Sequence, residues 1–177
     1  MIEILEQIKA KILELDSDIN FSPGLSSDEI RERFNSASFS APDSLVEFYT
    51  WSSGAPHPAL IELLPGGFFW SIDQAISDLS SQSLYKDAGE SFWNSIRVLT
   101  DHSDGGFSVL SAAEGGAIVH RCIHAPREIF LPSMEQLVNL SLRCYSNGVF
   151  SISDGMIEAN FDRYWEILVS SALNTFN

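Results

Sequence analysis

Two tight-turn signals, Asp104-Gly105-Gly106 and Glu114-Gly115-Gly116, punctuate the middle of this chain and constrain its fold more than any other feature. Glycine reaches positive φ at little cost, so each doublet closes a tight turn between neighbouring strands. The strand-like runs they separate are Ile96–Leu99, Phe107–Ser111 and Ala117–His124. Together they predict an antiparallel meander, with Glu128–Leu131 as a further edge strand. A short hairpin or a bulged pair is expected over Ala59–Phe69, broken at Pro65-Gly66-Gly67.

Helical patterns flank this β region on both sides. Ile2, Leu5, Ile8, Ile12 and Leu15 form one stripe, predicting a first helix over residues 2–15. A second helix starts near Ser26, with Glu29 placed to reach back to the cap amide and with Ile30 and Phe34 as its apolar face. A third begins around Pro42, presents Leu45, Phe48 and Tyr49, and stops at Gly54. Ser71-x-x-Gln74 and Ser133-x-x-Gln136 are capping boxes for two more helices. The first of these turns Ile72, Ala75, Ile76 and Leu79 inward; the second Met134, Leu137, Val138, Leu142 and Tyr145. In the last helix, Phe161, Tyr164, Trp165, Leu168, Val169 and Ala172 follow i, i+3, i+4, i+7, i+8 and i+11, predicting a single inward face. The chain has 177 residues, no internal repeat and no linker-like stretch, so one α+β domain over 1–177 is expected, a central antiparallel sheet flanked by helices.

The motifs in this order resemble the SUKH superfamily, which includes a fungal regulator of cell-wall synthesis and many bacterial immunity proteins. Leu25-Ser26-Ser27-Asp28-Glu29-Ile30 is similar to the family's Leu-Ser/Thr-x-x-Glu-Ile, and Ala41-Pro42-Asp43-Ser44-Leu45-Val46-Glu47-Phe48-Tyr49 to its Leu-Pro-x-x-Leu/Phe-x-x-Phe/Leu-Tyr. Ala41 replaces the usual Leu, and Ser53-Gly54 the usual Asn-Gly. Downstream, the stretch from Leu64 to Ala75, Trp93 ahead of Ile96–Leu99, and Gly115–Val119 resemble the family's later elements. The resemblance spans about residues 20–170. It implies a SUKH-like fold and non-enzymatic neutralisation of a cognate toxin, with a regulatory or scaffold module of the same fold as the alternative. The matching positions are structural, so no catalytic residue is carried over.

Charge points the same way. With 24 Asp+Glu against 10 Lys+Arg the chain carries −14, which repels nucleic-acid backbones and anionic membranes and attracts basic proteins. The expected partner is a protein, a basic toxin domain being the leading choice, with no nucleic acid, membrane or cofactor. Charge that only keeps the protein soluble is the plainer reading. Asp101, Asp104 and Glu114, on the turns at strand ends, are candidate partner contacts. Trp51 is a fourth, because it lies at a helix end beside a Ser-Ser-Gly loop. The N-terminal segment reads as an amphipathic helix and not a signal peptide, so a cytoplasmic location is expected.

Enzymatic readings are weaker. His120, Cys122 and His124 project from one face of a strand and make an acceptable zinc set if His102 or Asp101 adds a fourth ligand. A strand with one semi-polar face, Cys122 in the core and the histidines at its margin, explains them better. Asp101-His102-Ser103-Asp104 holds triad residue types, but neighbours in a turn cannot converge as a triad does. The glycine doublets lack the helix N-terminus or lysine of a phosphate cradle. Cys122 and Cys144 read as buried free thiols.

Overall fold

A computed structural model describes residues 1–54, 61–82, 95–100, 106–122, 125–153 and 156–173. The helices among them are α1 (Ile2–Leu15), α2 (Ser27–Ser36), α3 (Asp43–Trp51), α4 (Ile72–Gln82), α5 (Met134–Ser146) and α6 (Phe161–Leu173). The strands are β1 (Glu62–Leu64), β2 (Gly67–Phe69), β3 (Ser95–Thr100), β4 (Gly106–Leu110), β5 (Ile118–Cys122), β6 (Ala125–Leu131), β7 (Phe150–Ser153) and β8 (Met156–Ala159). Strands β1 to β6 form one antiparallel sheet in sequence order: β3 to β6 make the expected meander, and the β1–β2 hairpin joins it through β2–β3 pairing, which the sequence reading did not anticipate. β7 and β8 form a separate antiparallel pair between α5 and α6, which goes beyond the sequence expectation. The fold is α+β, and one apolar core joins residues from all six helices.

Local chemistry explains the element boundaries. The hydroxyl of Ser133 accepts from the Gln136 amide at 3.3 Å. Ser71 and Gln74 satisfy each other reciprocally, the Ser71 hydroxyl accepting from the Gln74 amide and the Gln74 side chain from the Ser71 amide. Ser26 caps α2 in the same way, but Glu29 does not complete the box. Its carboxylate accepts instead from Arg33 at 2.8 Å, one turn on, where a charged donor outcompetes a neutral amide. The turn after β4 is a single 3-10 turn, Ala112–Glu114, closed by Gly115 and Gly116, both at positive φ.

The motif from residue 22 to 54 is pinned by its backbone. The Ser22 amide donates to Gly54, Leu25 to Tyr49 and Ser53 to Pro23, and the Ser52 hydroxyl donates to the Ser22 carbonyl at 2.9 Å. Phe48 and Tyr49 carry this loop–helix pair into the core, where both are fully buried against Phe69. The Tyr49 hydroxyl donates to the Trp70 carbonyl. α5 packs on α1, α3, α6, β1 and β6, and Ser141 and Tyr145 donate to the carbonyls of Leu63 and Glu62.

The last helix corrects the sequence expectation. Tyr164 and Ile167 are buried and Leu168 is partly so, but Phe161, Trp165 and Val169 are 53%, 57% and 55% exposed. Its apolar residues span roughly 200° of the helix at about 100° per residue, wider than one neighbouring helix covers. α5 takes one side of that arc and leaves the other in solvent. Ala172 contributes a side chain outside the described residues.

Candidate interaction surface

Of the residues singled out as partner contacts, Trp51 and Glu114 fall within the described residues, and these two do not come together. Trp51 is only 9% exposed and belongs to the core, which corrects its placement as a surface anchor. Phe69 stacks on its ring at 6.0 Å and Phe21, from the loop before α2, meets it edge-on at 5.2 Å. Two segments distant in sequence therefore close over a helix end that looks open locally. Glu114 is exposed, on the turn between β4 and β5. That turn rests on the start of α3, since a Cβ at Gly116 would meet Pro42 at 3.1 Å. Trp51 ends the same helix, roughly 13 Å away at 1.5 Å per residue. Asp101 and Asp104 lie outside the described residues.

The proposed metal strand is placed in part. His120 is exposed on β5, its ring 5.1 Å from Phe107 and 6.4 Å from Phe130. β5 ends at Cys122; the Cys122 side chain, His124, His102 and Trp93 all lie outside the described residues. Among the described residues no three His, Cys, Asp or Glu side chains group as metal ligands. Cys144 is a buried free thiol, and burial pushes its pKa up to about 12 against a smaller opposing pull from Arg143.

A buried polar seam was not anticipated. Ser95 and Arg97 project from one face of β3, and Ser108 stands opposite Arg97 on β4. All three are buried, Arg97 to 6% exposure. The guanidinium lies 3.6 Å from the Asp78 carboxylate on α4 and 5.0 Å from the centre of the Trp70 ring. The Ser95 and Ser108 hydroxyls have no hydrogen-bond partner among the described residues. The ion pair ties α4 to the centre of the sheet. An arginine inside an otherwise apolar strand reads as an exposed residue until its carboxylate partner is known.

Among the charged residues that the structure describes as exposed, carboxylates far outnumber cations. Glu3, Glu6, Asp28, Glu32, Glu158 and Glu166 are exposed on four different elements. Among the described residues no helix is long and apolar enough to cross a membrane. Comparison of the chain with models of known protein families and with curated protein sequences finds no match.

Proposed function

We propose that this chain acts by binding another protein: that it is a cytoplasmic immunity protein of the SUKH kind, neutralising a basic toxin domain by occlusion and without catalysis. The observation that carries the reading is the −14 charge. A field of that sign and size steers a basic partner into contact and competes with nucleic acid for a basic groove. The ordered motifs and the α+β architecture are what the resemblance implies, and they support the reading.

The test is to identify what the neighbouring gene encodes and, if it is a large secreted protein, to co-express its C-terminal domain with this chain. The expected outcome is restored growth and a 1:1 complex that weakens as salt is raised. Persistent toxicity, or a harmless neighbour, favours the scaffold alternative. A complex indifferent to salt keeps the immunity role and removes its electrostatic basis.

A further inference from the structure

We propose that the exposed stripe of α6, Phe161, Trp165 and Val169, is the anchor at which this chain docks an apolar helical segment bordered by lysine or arginine. The inference rests on the reading that the chain acts by binding a protein, and it names the surface and the chemistry of the segment that fits there.

Three large apolar side chains, each more than half exposed, stand at i, i+4 and i+8 on one helix. Single exposed apolar residues are ordinary on a soluble protein; a continuous stripe with tryptophan at its centre is the composition of an interface. Trp165 and Val169 also line an open depression of about 500 Å³ with Asp162, Glu166 and Ser170. Tyr164 and Ile167, on the other side of the same helix, are buried against the core, so the helix is held rigidly while its outer stripe stays in water.

The border of the stripe selects the occupant. At roughly 100° per residue, Asp162 and Glu166 fall just beyond Val169, on the side away from α5. Both are exposed. Arg143 reaches the far end of the depression, where its guanidinium donates to the Ser170 hydroxyl at 2.9 Å. The Arg163 side chain lies near Gly148. An incoming segment therefore meets an apolar floor and two carboxylates along its outer edge, which cationic side chains complement.

A second copy fits poorly. An antiparallel two-fold pairing of α6 would set the Asp162–Glu166 border against itself and would bring two bodies of −14 together. The same border repels anionic lipid head groups.

The test uses the full chain and a labelled synthetic helix with leucine at i, i+3, i+4 and i+7 and lysine beside each leucine. A twin with glutamate in place of lysine is the control. Binding of the lysine helix and not of the glutamate helix is expected. Trp165→Ala should weaken binding about tenfold or more, as truncation of a central aromatic anchor does. Asp162→Asn with Glu166→Gln should flatten its salt dependence. Both variants change exposed side chains, so an unshifted melting temperature will show that they fold. No binding of either helix, or binding that Trp165→Ala leaves unchanged, overturns the proposal. So does Trp165-dependent dimerisation in sedimentation, which makes a second copy the occupant, or uptake by anionic vesicles in preference to the lysine helix. These outcomes are separable from those of toxin co-expression: the peptide reports on the stripe whether or not the neighbouring gene encodes a toxin.

Discussion

A methyl group added at Gly54 would land 2.3 Å from the Ser71 Cα, and the residue holds a φ of +117°. Neither the contact nor the dihedral has a cheap escape, because the obstacle is backbone and L-residues avoid that region. The Ile72 amide donates to the Ser53 carbonyl beside it, so Gly54 seats the start of α4 against the end of α3. Gly54→Ala should lower stability by about 2 kcal/mol or more in urea unfolding; an unchanged midpoint would show that the crossing relaxes. Buried acids set a second residue-scale effect. Burial raises Cys144 from 9.0 to about 12 and also raises Tyr49, Tyr145 and Tyr164. The charge of Glu62 adds to the shift at Tyr145. Each group keeps its proton in the folded chain at a pH where the unfolded chain has lost it. Their contribution is therefore complete below about pH 9 and declines as pH rises through 9 towards 12. The urea midpoint should fall between pH 8 and pH 10.5, and Cys144→Ala should remove the part of the decline that starts near pH 9. A midpoint flat over that interval would refute the assignment.

At the scale of elements, the α4–sheet contact includes an ion pair between the buried Arg97 and the partly buried Asp78. Removing Asp78 leaves the Arg97 charge 6% exposed beneath α4. Asp78→Ala should cost about 3 kcal/mol or more, and adding Arg97→Met should restore much of it, since an apolar pair of similar volume needs no desolvated charge. A double variant no better than the single one would mean that Arg97 contributes through contacts other than Asp78, the Trp70 ring among them. This element also marks where sequence pattern stops informing. The caps at Ser26, Ser71 and Ser133 are local, and each is visible within four residues of sequence. Gly115 and Gly116 announce their turn in the same way. The β7–β8 pair had a local signal that the sequence reading passed over, since Asp154-Gly155 between Ile152 and Ile157 is a hairpin dipeptide. The burial of Trp51 was not legible, because Phe21 and Phe69 reach it from distant segments. Nor was the division of α6: periodicity reports how wide an apolar arc is, while the number of neighbours available to cover it is a property of the assembled fold.

At the scale of the whole molecule, charge should push stability and binding in opposite directions. Several of the ion pairs here are exposed, among them Arg31–Asp43 and Arg33–Asp73, and pairs of that kind contribute little. With 24 acidic and 10 basic residues, most carboxylates have no cation to answer them, so repulsion outweighs attraction over the surface. Added salt screens both, and the larger repulsive part is the one relieved. The melting temperature should rise by several degrees, on the order of 1 kcal/mol, between about 20 mM and 300 mM sodium chloride. Over the same interval a basic partner should associate more slowly, because steering is lost with the field that produced it. Stability measured by calorimetry and association measured by stopped flow in matched buffers must therefore move oppositely. If the melting temperature falls with salt instead, the surface ion pairs are net stabilising and the acidic excess is answered locally. The chain would then present a balanced surface to its partner, and the charge could not be what guides the encounter.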